Sequence, residues 1–110
     1  MKLTERTIND KTIVCFDGRL DSNTARETEQ RFSEMLDSGV NKLIVNFEKL
    51  EYLSSAGLRI LFEVAENLEE ADGSLRICSL NETVKEIFEI SGFNSLFNVF
   101  ETEEQALEGF

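Results

Sequence analysis

Two adjacent hydroxyl groups stand out among the side chains that could do chemistry. Ser54 and Ser55 are followed by Ala56 and Gly57, which are small enough to keep the surrounding surface open. Such hydroxyls can act as a nucleophile, as polar contacts to a ligand, or only as the cap of a helix, because serine is a preferred N-cap residue. The spacing alone favours the cap, with Ala56 and Gly57 allowing the helix to pack closely.

The rest of the composition argues against an enzyme. Histidine is absent, so the commonest general base and the commonest metal ligand are both missing. A nucleophilic Ser55 would need Lys49 or Asp21 as its base, and the phosphate-binding sequences GxxxxGK(S/T) and GxGxxG do not occur. We therefore expect no catalytic residues, no metal and no cofactor. Binding of a nucleotide or another small ligand through Ser54, Ser55 and Asp21 is the alternative function.

The charge balance limits the kinds of partner. The chain has 22 acidic and 11 basic residues and a formal net charge of −11, which repels nucleic-acid backbones and anionic lipid surfaces. No apolar run approaches the roughly 20 residues that cross a bilayer, and the first residues lack the apolar stretch of a secretion signal. We expect a cytoplasmic protein that binds other proteins, with no nucleic acid and no membrane among its partners.

The two cysteines point to structure rather than chemistry. Cys15 and Cys78 each lie inside an apolar run, and neither belongs to a CxxC pair. We interpret both as buried, reduced and poorly reactive thiols.

The elements that must position the serines follow from hydrophobic periodicity. Apolar runs with turn-like breaks predict strands at 3–8, 12–16, 42–47, 75–80 and 96–100. Apolar residues that recur every three or four positions predict helices from 22 to 39, 55 to 72, 81 to 92 and after 102. The order β-β-α-β-α-β-α-β-α indicates one α/β domain over residues 1–110, with a mostly parallel, mixed sheet of about five strands and four helices.

Local signals mark the helix starts and the core. Thr24 with Glu27 and Thr102 with Gln105 fit capping boxes, and Asn81 fits an N-cap. The core is expected to take apolar side chains from nearly every element: Ile13, Val14, Phe32, Leu43, Val45, Leu61, Phe62, Ile77, Phe88 and Phe97. In open α/β sheets, function gathers where strands lead into helices. The candidate junctions are 16–24, 48–58 and 79–83, and the middle one holds the serine pair.

The sequence resembles the anti-sigma factor antagonists, whose fold is called the STAS domain. The apolar strand at 43–47 and the later block from Tyr52 to Leu58 are similar to the family's apolar strand followed by Asp-Ser-Ser/Thr-Gly-Leu-Gly. The segment from Gly18 to Asp21 is similar to the family's Gly-Glu-Leu-Asp, and 81–93 and 104–107 are similar to its later segments. The resemblance covers essentially the whole chain and keeps the order of the elements.

The resemblance implies a switch controlled by phosphorylation. Aligned through Gly57 and Leu58, the family's phosphorylated serine falls on Ser55, with Ser54 as the fallback acceptor. Unphosphorylated protein would bind an anti-sigma factor that is also a serine kinase and so free the sigma factor, and a phosphatase would remove the phosphate. The implied partner-binding residues are Arg19, Asp21, Ser54, Ser55, Ala56, Gly57 and Arg59.

Four positions of this site depart from the family's pattern. Ser54 stands where the family usually has aspartate, and Ala56 replaces the second hydroxyl. Arg59 replaces the final glycine, and Arg19 replaces an acidic residue. Arg59 lies one helical turn beyond Ser55, where it can pair with a phosphate or extend into solvent.

Overall fold

The chain alternates strands and helices in the order that its periodicity predicts. A computed structural model describes residues 1–110. Its strands are β1 (Lys2–Ile8), β2 (Lys11–Leu20), β3 (Lys42–Leu53), β4 (Ser74–Cys78) and β5 (Asn98–Phe100). Its α-helices are α1 (Ala25–Asp37), α2 (Ser55–Glu70), α3 (Glu82–Ser91) and α4 (Glu103–Leu107), and a short 3-10 helix at Phe93–Ser95 follows α3.

The strands form one sheet in the order β1-β2-β3-β4-β5. The first pair, β1 and β2, is antiparallel, and the other three pairs are parallel. This arrangement confirms the predicted α/β domain with a mostly parallel, mixed sheet.

The main core lies between one face of the sheet and helices α1 to α3. Alternate side chains of β2 and β3, such as Phe16 and Phe47, point to this face and contact each other with their ring centroids 5.3 Å apart. Phe32 of α1 and Phe88 of α3 complete a chain of buried rings. Every residue predicted for the core is buried except Phe62. Phe62 is only half-buried, because it lies at the margin of α2 against Phe93 and Phe97.

Several predicted strand boundaries are wrong. β2 and β3 run on to Leu20 and Leu53, because each continues to pair with the other past two irregularities in their register. The last strand begins at Asn98 rather than 96, since Gly92 takes a left-handed conformation and the 3-10 helix follows it. β4 ends at Cys78, two residues before the predicted end, whereas α1 begins at Ala25, directly after the N-cap position predicted for Thr24.

Helix α4 covers part of the opposite face of the sheet, where Arg76 of β4 contacts the C-terminal segment. The guanidinium of Arg76 lies 4.3 Å from the centroid of the Phe110 ring and 5.1 Å from that of Phe100. Its Nη1 donates to the carbonyl oxygens of Ala106 and Glu108, at 2.9 and 2.8 Å. Arg76 thus ties the C-terminal turn to the sheet, together with the ion pair of Arg6 with Glu103 and the buried Ala106.

Replacing Arg76 is therefore expected to loosen this end of the molecule. Arg76→Met keeps an apolar stem but loses the charged hydrogen bonds and the contacts to the rings, and should lower the free energy of unfolding by about 2 kcal/mol. Urea unfolding measures the loss, and amide exchange should rise at 103–110. Arg26→Met on the exposed side of α1 is the matched control. Equal urea midpoints for the two variants would contradict the role of Arg76.

The two cysteines differ, which corrects the prediction that both are buried. Cys78 is fully buried, and loss of solvation raises the pKa of its thiol to about 11. Cys15 is only half-buried, because it lies at the margin of the small cluster beneath α4, and it lines a surface pocket with Lys2 and Lys49. Both residues pair with Asn46 of the intervening β3, so their Cα atoms are about 10 Å apart, too far for a disulfide.

Thiol labelling should separate the two residues. A maleimide reagent at neutral pH is expected to modify Cys15 readily and Cys78 only after denaturant is added, because reaction needs an accessible thiolate. The variants Cys15→Ser and Cys78→Ser assign the two rates. Native labelling of Cys15→Ser as fast as that of Cys78→Ser would show the burial of Cys78 to be wrong.

Candidate functional site

The serine pair lies where the ends of β2 and β3 meet the start of α2. Parallel pairing joins Arg19 to Tyr52 and Leu20 to Leu53 at the ends of the two strands. The backbone N–H of Ser54 then donates to the carbonyl oxygen of Leu20 at 2.9 Å. The junctions after β2 and β3 therefore form one site.

Ser54 is the N-cap of α2. Its backbone is extended, with φ −89° and ψ 171°, and its Oγ accepts a hydrogen bond from the backbone N–H of Gly57 at 3.2 Å. The residue is half-buried. Its hydroxyl is thus engaged in starting the helix.

Ser55, the first residue of α2, is placed differently. It is exposed, and its hydroxyl makes no hydrogen bond within the protein. The first turn of α2 holds no acidic side chain, so the positive end of the helix dipole is not offset there. Ser55 therefore presents a free hydroxyl at a position that favours negative charge.

Gly57 sets how closely α2 approaches the sheet. It is buried, and a Cβ atom there would lie 2.7 Å from Cγ of Leu20 and 2.9 Å from Cδ1 of Leu53. Gly57 was expected among the partner-binding residues, but it lies beneath the surface because the helix packs directly on the two leucines. Its role is to position the exposed Ser55 and Arg59, which lie two residues before and after it on α2.

Arg19 and Tyr52 form an exposed pair at the strand ends. The Arg19 guanidinium lies 4.5 Å from the centroid of the Tyr52 ring, and its Nε is 3.5 Å from Oδ2 of Asp21. The other carboxylate oxygen of Asp21 accepts from the backbone N–H of Asn23 at 2.9 Å. Sequence reasoning gave Tyr52 no role at the site. The predicted strand ended at 47, too early for Tyr52 to be paired with Arg19.

Thr24 holds the turn that carries Arg19 and Asp21. Its Oγ1 donates to the Arg19 carbonyl at 2.8 Å and accepts from the Asp21 N–H at 3.0 Å. It makes no capping hydrogen bond to α1, so the predicted capping box of Thr24 and Glu27 is wrong. The hydroxyl instead fixes the turn at the end of β2.

Arg59 lies on α2 one turn after Ser55. Its side chain is exposed and makes no ion pair with any acidic residue. Together with Ser55, Phe62 and Phe93, it lines a shallow groove beside the helix. The guanidinium is therefore free to meet a phosphate or a partner.

Neither side chain that could act as a base is bonded to Ser55. Its hydroxyl has no hydrogen bond to Lys49 or Asp21, the side chains that would have to serve as its base. No group of three or more acidic or cysteine side chains is placed to hold a metal ion. None of the helices has the length and apolar character that a membrane span requires.

Comparison with known proteins decides the family. The model of the STAS domain matches residues 2–106. BtrV of Bordetella bronchiseptica, provisionally named as an anti-sigma factor antagonist, is 38% identical over 110 residues, covering 100% of this chain and 95% of BtrV. The anti-sigma-B factor antagonist of Staphylococcus aureus is 32% identical over 101 residues, covering 91% of this chain and 94% of that protein. The chain belongs to the STAS domain family of anti-sigma factor antagonists.

Solved structures share the fold of this STAS domain. SpoIIAA, an anti-sigma factor antagonist of Bacillus, superimposes in its unphosphorylated form with a TM-score of 0.81 at 22% identity, covering 97% of this chain and 94% of SpoIIAA. Its phosphorylated form gives a TM-score of 0.73 at 21% identity, covering 97% of each chain. At these identities the likeness shows the common fold.

The third junction of this STAS domain supports the site rather than forming part of it. The side chain of Asn81 caps α3 by accepting from the backbone N–H of Val84 at 2.9 Å, as predicted. Its Nδ2 also donates to the carbonyl oxygen of Leu50 at 2.5 Å. Asn81 thereby ties the start of α3 to the second half of β3, which leads to Ser54 and Ser55.

Proposed function

We propose that this STAS domain is a protein-binding switch controlled by phosphorylation of Ser55. In the unmodified state it binds an anti-sigma factor and so frees the sigma factor, and phosphoserine at position 55 abolishes that binding. The observation that carries the proposal is the contrast between the two serines. The Ser54 hydroxyl is engaged as the cap of α2, whereas the Ser55 hydroxyl is exposed and unbonded.

The position of Ser55 suits a phosphate without a change of fold. Phosphorylation adds about −1.5 to −2 charges, and backbone N–H groups at a helix N-terminus hold anions well. The first turn of α2 has no acidic side chain to compete, and Arg59 is unpaired one turn away. SpoIIAA has been solved in unphosphorylated and phosphorylated forms, and both share the fold of this chain. This supports phosphorylation without a change of fold here.

The switch would act through the docking surface. We place the contacts to the anti-sigma factor on the residues that surround Ser55 at the surface: Arg19, Asp21, Ser54, Ala56 and Arg59, with Tyr52 added from the structure. Binding must remove water from this patch, and a buried phosphate without a compensating partner group costs several kcal/mol, roughly enough to prevent association. Gly57 is left out, because it is buried beneath the patch.

The partners follow from this mechanism. We propose that the anti-sigma factor is the serine kinase that modifies Ser55, and that a separate phosphatase restores the hydroxyl. The protein itself then acts in the cytoplasm by binding and not as an enzyme, since no base is hydrogen-bonded to the Ser55 hydroxyl. Two relatives are named as anti-sigma factor antagonists, which fits an anti-sigma factor as the partner.

Release of a sigma factor from its complex tests the function. An anti-sigma factor captured by affinity purification with this protein would be bound to its fluorescently labelled sigma factor, and anisotropy would report release. The unmodified protein is expected to release the sigma factor at concentrations near those of the complex, and Ser55→Asp is expected to release little. No release by the unmodified protein at a large excess would refute the proposal.

A further inference from the structure

An apolar trough runs along α2 away from Ser55. Its floor is a cluster of aromatic rings, in which the centroid of Phe62 lies 5.0 Å from that of Phe97 and 6.2 Å from that of Phe93. Leu96 stands at the rim with 54% of its surface exposed. Two shallow grooves that share Phe62 and Glu66 make the trough continuous from Ser55 to Glu69.

One wall of the trough is acidic. Glu63, Glu66 and Glu69 recur at three-residue steps of α2, and all three are exposed. None of them forms an ion pair within the protein. From Ser55 to Glu69 the helix rises about 21 Å, roughly four turns. The surface thus offers a groove with an apolar floor over the length of a short helix, and a row of unpaired carboxylates along its half distant from Ser55.

We propose that this trough docks a basic amphipathic helix of a protein partner. Apolar anchors at i and i+4 on that helix would lie on Phe62, Phe93 and Leu96, and lysine or arginine side chains on its flank would meet the carboxylates. The charge pattern selects this occupant, because an acidic or neutral helix would leave the three glutamates unpaired. The trough is also continuous with the Ser55 groove, so a partner that contacts one end has the other within reach.

This docking does not depend on the proposed switch. The acidic wall begins two turns beyond Ser55 and contains none of the proposed anti-sigma contacts. Of the anti-sigma patch, only Ser55 and Arg59 line the near end of the trough. A phosphate on Ser55 adds negative charge at one end of the trough, which attracts a basic helix further. The trough therefore serves a partner that recognises the phosphorylated protein at least as well as the unmodified one.

The probe is an 18-residue synthetic helix with leucines on one stripe and lysines on the flank beside it, labelled for fluorescence anisotropy. A scrambled peptide of the same composition removes the stripe. The ordered peptide is expected to bind wild-type protein about tenfold more tightly than the scrambled one. The triple variant Glu63→Gln, Glu66→Gln, Glu69→Gln should lose about tenfold in affinity, and Leu96→Ser should lose about fivefold.

The matched control carries the same charge change on α1. Glu27→Gln, Glu29→Gln and Glu34→Gln alter three exposed carboxylates away from the trough, and should change affinity less than about twofold. Equal losses for the two triple variants, or equal binding of the scrambled peptide, would overturn the proposal. Ser55→Asp should retain peptide binding. Peptide binding therefore tests the trough separately from the release of the sigma factor, which tests the switch at Ser55.

Discussion

Ser55→Asp is expected to weaken binding to the anti-sigma factor by about two orders of magnitude, while Ser55→Ala binds as tightly as the unmodified protein. The carboxylate places a charge in the centre of a patch that must lose its water on docking. The alanine removes only a hydroxyl that has no partner within the protein. Isothermal titration with the purified anti-sigma factor measures both affinities.

Stability must be measured on the same variants to exclude a structural cause. Ser55→Asp should unfold at the same or a slightly higher urea concentration, because a carboxylate in the first turn stabilises a helix by about 0.3–1 kcal/mol. Ser54→Ala is the matched control, since it should lose about 1 kcal/mol of capping energy and far less affinity than Ser55→Asp, because its hydroxyl is engaged with Gly57 within the protein. Equal affinities for wild type, Ser55→Ala and Ser55→Asp would mean that Ser55 is not the switch residue.

Gly57→Val is expected to lower the free energy of unfolding by about 3 kcal/mol. The new Cβ would lie well inside contact distance of Leu20 and Leu53, both of which are buried. To relieve the overlap, α2 must move away from the ends of β2 and β3. Urea unfolding followed by circular dichroism gives the loss.

A neighbouring substitution separates this packing effect from helix propensity. Ala56→Val places the same β-branched side chain on the same turn of α2, but at a half-buried position. It should cost less than about 1 kcal/mol. If Gly57→Val were no less stable than Ala56→Val, the close approach of α2 to the leucines would be wrong.

Much of the fold was predictable because its periodicity is local. The apolar run of β3 and the stripe of α2 are readable from neighbouring residues, and so are the caps at Asn81 and Thr102. The extensions of β2 and β3 were not readable, because Gly18 and the polar stretch at 48–52 interrupt the pattern. These segments are strands because they pair with each other, and such pairing has no local signal.

The site, like the fold, was predictable from sequence only in part. The composition of 54–57 located the start of α2, but it could not tell which hydroxyl caps the helix and which is free. That distinction needs the backbone geometry that aims the Ser54 Oγ at the N–H of Gly57. The contact of Arg19 with Tyr52 likewise depends on the register of two strands that are distant in sequence.

Mapping of the phosphate shows which serine the kinase modifies. Wild type, Ser54→Ala and Ser55→Ala would each be incubated with the anti-sigma kinase and ATP, and intact mass and peptide mass spectra recorded. We expect one phosphate on wild type and on Ser54→Ala, located at position 55, and none on Ser55→Ala. A phosphate that persists in Ser55→Ala, or that maps to Ser54 in wild type, would show that Ser55 is not the switch residue.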